Sequence, residues 1–311
     1  MRRIALVIAC VVAGVPACTE EPSPVTVGMS VVNSNTAFFR EMLTAARREA
    51  RRQGARLLVS NARDNPTNQP PQVDRLLDQG VDALVIDAGG VSVAALNELA
   101  GEADVPVIAV GDTTPEPQAT ASVVSENVVA GRLAAEYLFF RMGGTGAAAA
   151  IAPSRLGPSD VEVQQGFEEI ADRTPTVTIT VQRTSEVDVK QAASIAAEVF
   201  ESYPEVEGVL AGNDEIALGA VHAARRLGIL GRVAIVGVGG SARALAAIEA
   251  GRLEGSVRTD PEELGRRAVE AAVRAARGEP VPRRQVVDVT LVTVENVKKV
   301  RRGVGFGGSN A

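Results

Sequence analysis

The chain reads as an α/β protein of two Rossmann-like lobes on parallel central sheets. Three observations carry that reading. Short apolar runs alternate with stretches of helical period, the pattern of βαβ units on a parallel sheet. The alternation occurs twice, before and after about residue 125. Several runs end in Gly, Asn or Asp, at the carboxyl ends of strands, where open α/β sheets bind ligands.

In order, residues 25–31 form the first strand. Residues 36–53 form an amphipathic helix with Phe39, Met42, Leu43, Ala46 and Ala50 on one face, ended by Gly54. A strand at 56–60, a polar loop at 61–71 and a short helix at 73–79 follow. Residues 81–86 make a strand ending at Asp87, 91–100 a helix, and 105–110 a strand with Gly111, Asp112 and Thr113 at its tip. The proline-punctuated stretch 114–120 closes this block.

The second block opens with a helix at 127–142 and a strand at 147–152. A loop over 153–160 leads to a helix running through 170, then a strand at 176–181 and a helix at 188–203. Val209, Leu210 and Ala211 are too few for a helix and suit a buried strand. Gly212 and Asn213 then turn, and Asp214 is a good N-cap for the helix carrying Ile216, Leu218 and Val221. The remainder reads as strand 233–238, helix 242–250, strand 253–257, helix 261–277, an extended stretch 286–294 and a Gly-rich, disordered tail over 301–311.

Composition excludes several chemistries. The formal charge of −6 gives no basic surface for nucleic acid. His222 is the only histidine, which removes histidine triads and most zinc sites. No metal or cofactor is expected. Both cysteines, Cys10 and Cys18, lie in the first eighteen residues, so the folded body carries no thiol chemistry. Gly143-Gly-Thr-Gly146 precedes a strand rather than opening a helix and is no phosphate loop.

The amino terminus has the layout of a secretory signal: basic Arg2 and Arg3, an apolar run, then Val15-Pro-Ala-Cys18. Cys18 resembles the lipidated first residue of bacterial lipoproteins, although Val15 and Ala17 also serve ordinary cleavage. Residues 1–17 are thus assigned as signal and 18–24 as a tether, the localisation being periplasm or cell surface with a lipid anchor. Without Arg2 and Arg3 the balance is 30 basic against 38 acidic residues, a charge near −8.

From residue 25 to 300 the chain resembles the type 1 periplasmic binding proteins of the ribose/galactose kind, which serve ABC importers. The resemblance is carried by Asn33-Ser-Asn-Thr-Ala-Phe-Phe39, Asp64-Asn-Pro66 with Gln69 or Gln72, Gln79-Gly-Val-Asp-Ala-Leu-Val-Ile86 and Val105-Pro-Val-Ile108. Ser125-Glu-Asn127, Gln165-Gly-Phe167, Gly212-Asn-Asp-Glu-Ile-Ala-Leu-Gly219 and Leu291-Val-Thr-Val-Glu-Asn-Val297 continue it in order. It implies hinge crossings near Ser125, Thr259 and Asp288, and hence lobe 1 from 25–125 plus 260–288 and lobe 2 from 126–259 plus 289–300. It further implies a ligand cleft that closes by hinge motion, a permease partner, a monomeric binder and no catalysis.

Carried over by position, Phe38 and Phe39 stand where the family stacks rings on a sugar. Asn213 stands where it hydrogen-bonds hydroxyls, and Asn35 matches another polar contact. Asp87 replaces an Asn of ribose binders, keeping acceptors and removing donors. The family's Asp-Arg pair falls on Gly111 and Asp112, its second-lobe Arg on Val161, a further Asp on Gly239 and its Gln on Thr259. The expected site is therefore Asn35, Phe38, Phe39, Asp87, Asp112, Asn213 and Thr259, for a small polar ligand of carbohydrate or polyol kind. A non-sugar ligand, or a ligand-sensing lipoprotein docked to a receptor kinase, is the alternative. An N-terminal signal where a DNA-binding domain would stand argues against a repressor, and Asp87 with Asp112 is the one pair an enzyme could use.

Overall fold

The computed structural model describes residues 23–63, 65–87, 101, 103–111 and 119–303. The expected signal, Cys10, Cys18, Asp64, Asp112 and the helix expected at 91–100 lie outside the described residues.

Two six-stranded sheets organise the chain. The first contains β1 (Thr26–Val31), β2 (Arg56–Asn61), β3 (Ala83–Ile86), β4 (Val107–Val110), β5 (Ala121–Ser125) and β11 (Arg284–Val287), in the order β11-β5-β4-β3-β1-β2. The second contains β6 (Gly146–Pro153), β7 (Val177–Ser185), β8 (Val206–Ala211), β9 (Ala234–Gly239), β10 (Gly255–Arg258) and β12 (Thr290–Thr293), in the order β12-β10-β9-β8-β6-β7. Every pairing is parallel except β10 with β12. The stretch read as one extended end is therefore two strands, one per sheet, parted at Asp288 and Val289.

Helices cover both faces of each sheet, so the strands read as continuous apolar runs. In the first lobe, α1 (Ala37–Arg52) and the later helix Pro261–Ala276 bury Met42, Leu43, Leu264 and Val269 against Val27, Met29 and Ile108. Its other face packs α2 (Gln69–Asp78) through Val73 and Leu76 onto Leu84 and Ile86. α2 starts in the stretch read as loop, because Pro70 and Pro71 fall in its first turn, where a missing N–H costs nothing.

In the second lobe, α3 (Asn127–Arg141) and α4 (Pro158–Arg173) cover one face. α5 (Val189–Ser202), α6 (Asp214–Arg226) and α7 (Ala242–Glu249) cover the other. α8 (Pro261–Ala276) returns to the first lobe, and α9 (Val297–Gly303) occupies the first three residues of the expected tail.

The N-cap of α6 is a correction. Asn213, not Asp214, holds the cap: its side chain accepts from the Ile216 N–H at 2.9 Å with extended backbone. Asp214 instead turns into the protein and is fully buried.

α3 and α4 cross closely enough that Gly131 faces the Val163 carbonyl and Gly166 faces the Val128 carbonyl, each without room for a Cβ. Alanine would ordinarily favour a helix interior by roughly 1 kcal/mol. At Gly131 it must force the two backbones apart, so Gly131→Ala should destabilise by about 1–3 kcal/mol. A urea titration should show the midpoint lowered with an unchanged slope; an unchanged midpoint would refute the tight crossing.

Candidate functional site

The carboxyl ends of both sheets face one another. The Ser159 hydroxyl, at the start of α4, donates to the Gly111 carbonyl at the tip of β4. Elsewhere the Ala242 N–H of the second lobe donates to Glu41 Oε1 of the first at 3.2 Å. Near the crossings, the buried Ser125 hydroxyl donates to the Thr259 carbonyl at 2.9 Å. The cleft is what these strand-end loops enclose.

On the first lobe the loop after β1 is fixed by side chains. Asn33 Oδ1 accepts from the Asn35 N–H at 2.7 Å, while Ser34 and Asn61 exchange hydrogen bonds between the ends of β1 and β2. Thr36 then caps α1 by accepting from the Phe39 N–H. Asn35 is exposed on the turn, and Phe38 and Phe39 are half-buried against the first-lobe core. Their rings meet edge to face, 5.3 Å apart at 88°. One hydrophobic cluster thus holds both rings, which pack on one another rather than standing as two free platforms.

Asp87 sits between the ends of β1 and β4. Its Oδ2 accepts from the Val32 N–H at 3.3 Å, and its carbonyl accepts from the Gln69 side chain at 2.6 Å. Gly111 lies beside it, so that a Cβ there would stand 3.5 Å from Asp87 Oδ1. The structure therefore brings Asp87 and Gly111 together; Asp112 is outside the described residues.

On the second lobe Asn213 commits its oxygen to the α6 cap, which leaves its amide N–H groups as what it can offer a ligand. Behind it, Asp214 Oδ2 accepts from the Ser241 N–H and Oδ1 from the Ser256 hydroxyl, each at 2.6 Å. Gly239 and Gly240 occupy positive φ, 135° and 72°. A Cβ on Gly239 would lie 2.9 Å from Asp214 Oδ2, and one on Gly240 would run into Arg258. The Gly at 239 is thus imposed by the carboxylate beneath it. Thr259 is buried at the crossing, its N–H donating to the Gly239 carbonyl at 3.4 Å. Val161 is exposed.

The sequence reading placed Gln69 in a motif without a role and gave Asp214 the cap, and it did not single out Glu41 or Arg258. A cavity of about 460 Å³ lies within the second lobe between α4 and β7, lined by Leu156, Val163, Phe167 and Ile179. Ala152, Pro153 and Gly212 in its wall belong to the strand ends beside Asn213. Among the described residues no group of His, Cys, Asp and Glu could hold a metal, and no helix is long and apolar enough to cross a membrane.

Residues 27–280 match the family model described as a periplasmic binding protein domain. The chain belongs to the periplasmic binding protein family. It is 30% identical over 260 residues to the ribose import binding protein of Bacillus subtilis, covering 82% of this chain and 83% of that one. The ribose import binding protein of Escherichia coli is 26% identical over 298 residues, 94% of this chain and 98% of that one. An ABC transporter solute binding protein of Bacillus halodurans, solved with bound myo-inositol, superposes with a TM-score of 0.85 at 27% identity. That superposition covers 91% of this chain and 99% of the other. The doubled α/β architecture of this periplasmic binding protein is the architecture of those structures.

Burial pushes the Asp214 carboxyl up to about 7, against the opposing hydrogen bonds from Ser256 and Ser241. An unfolded aspartate titrates near about 3.9. The folded value is the higher, so Asp214's contribution to stability is full below about pH 4 and is lost as pH rises through about 7. Asp214→Asn removes the titration while keeping an acceptor for Ser241. The melting temperature of the wild type should fall relative to that variant between pH 4 and pH 8; parallel profiles would contradict the assignment.

Proposed function

We propose that this chain is an exported solute-binding protein that takes a small polyhydroxylated molecule between its lobes and delivers it to the permease of an ABC importer. The observation that carries the reading is the facing pair of strand-end surfaces, with Asp87 on one and Asn213 on the other. Asp87 adds hydroxyl acceptors and Asn213 amide donors, the complement of a polyol. The relatives support the class: the two import proteins are named for ribose, the Bacillus halodurans structure holds myo-inositol, and a relative from Mycolicibacterium smegmatis, 26% identical, is named a xylitol-binding protein.

In this reading Phe38 or Phe39 stacks its ring face on the ligand's apolar C–H face, and Asn35, Asp112 and Thr259 complete the polar lining. Gly111 and Gly239 leave the cleft short of charged side chains. The ligand is then held by single hydrogen bonds rather than by bidentate charged pairs. Export through residues 1–17, lipidation at Cys18, a monomeric state and the division into segments at 125, 259 and 288 belong to the same proposal.

Asn213→Ser separates the two duties of that residue, since serine also caps a helix but brings no amide. Stability should change by less than about 0.5 kcal/mol, while affinity should fall by about 1–3 kcal/mol, roughly 5- to 150-fold. Calorimetric titration of ribose, myo-inositol and xylitol into both proteins reads the difference. Equal affinity in wild type and variant would place the ligand away from Asn213.

A further inference from the structure

Glu41 stands on α1 of the first lobe, one turn beyond its cap, and both of its carboxylate oxygens point at the second lobe. Oε1 accepts from the Ala242 N–H, the first residue of α7, at 3.2 Å. Oε2 lies 3.6 Å from Nη1 of Arg258, the last residue of β10. The Arg258 side chain is only 4% exposed and that of Glu41 13%. Arg258 Nη1 also donates to the Gly240 carbonyl and Nη2 to Asp260 Oδ1, each at 3.0 Å. Among the described residues Glu41 Oε2 and Arg258 Nε are buried atoms without a hydrogen-bond partner.

We propose that Glu41 and Arg258 are positioning residues that latch the lobes together on the α1 side of the cleft, biasing the protein toward its closed form before ligand arrives. The two partners differ in what they lose when the lobes part. Arg258 keeps Gly240 in its own lobe and Asp260 two residues along the chain. Glu41 loses both of its partners and gains water. The interaction thus adds nothing to either lobe alone and everything to their relative placement.

Magnitude decides that this is a bias and not a lock. Burial raises the Glu41 carboxyl, opposed by the Ala242 hydrogen bond and the Arg258 charge, so the closed geometry sacrifices hydration. Desolvation of that kind consumes most of the Coulombic gain of a buried pair, and a small remainder suits an equilibrium that a ligand must still shift. A protein that already populates its binding-competent form loses less affinity to the cost of closing. That consequence rests on the cleft being the capture site; the lobe separation itself is read without any ligand.

Cys10 and Cys18 are the only cysteines, so a Cys10→Ser, Cys18→Ser background accepts spin labels cleanly. Labels at Asp74→Cys on α2 and Glu198→Cys on α5, both exposed, report the distance between lobes by double electron–electron resonance. The ligand-free chain should give a distribution with both a short and a longer distance, and saturating ligand should collect it at the short one. Glu41→Ala should move a substantial fraction to longer distances, and Glu41→Gln, which keeps an acceptor for Ala242 but sets an uncharged amide against Arg258, should move a smaller fraction. Arg132→Ala, which breaks an ion pair to Glu169 inside the second lobe, should leave the distribution unchanged and so serves as the control. Melting curves confirm that each variant is folded. If the folded Glu41 variants give the wild-type distribution, or if Arg132→Ala shifts it equally, the latch is overturned.

Discussion

The second lobe depends on one buried carboxylate. Asp214 begins α6, directly after β8, and holds the loop after β9 through the Ser241 N–H and the middle of β10 through the Ser256 hydroxyl. Ser256 in turn accepts from the Gly240 N–H at 3.1 Å, which closes the network. The ends of β8 and β9 and the body of β10 are thereby tied at one point. A carboxyl without these donors would be costly to bury. With them it fixes where Asn213 stands, forces Gly239 to carry no side chain and sets the path by which Arg258 reaches Glu41.

The first lobe holds its strand-end loops by other means. Backbone and amide groups hold its strand-end loops: Gln69 fastens Asp87, Gln72 donates to the Asn61 carbonyl at 2.8 Å, and Asn33 shapes the turn before α1. Among the described residues, the polar contacts that join the lobes include Ser159 with Gly111, Glu41 with Ala242 and Arg258, Ser125 with Thr259, and Arg258 with Asp260. A hinge opening would break the Ser159 and Glu41 contacts while leaving the hydrogen bonds inside each lobe in place. Rigid walls lower the entropy lost on binding, and a movable interface lets the ligand enter.

Most of the fold was legible because its signal is local. Apolar runs and helical stripes repeat through the chain, and the structure forms sheets where they alternate. Neighbouring residues with equal credentials were harder to tell apart. Asn213 and Asp214 are both good caps, and only the tertiary network, which wants a carboxylate inward, decides that the amide takes the cap. Pro70 and Pro71 suggested a loop, though a helix tolerates both in its first turn. The pairing of Glu41 with Arg258 left no sequence signal at all, since nothing local relates positions so far apart in the chain. Site residues fall between these cases: Asn35, Phe38, Asp87 and Asn213 lie at strand ends or helix starts, as the topology demands, but their exposure and partners follow from packing.

The central claim is that one ligand is held by the strand ends of both lobes at once. Hydrogen–deuterium exchange tests it most directly, comparing the free protein with the protein saturated by whichever of ribose, myo-inositol or xylitol binds. The account predicts slowed exchange together at Val32 and Asp87 in the first lobe and at residues 212–216 and 239–241 in the second. Protection confined to one lobe, or to the wall of the cavity between α4 and β7, would contradict it.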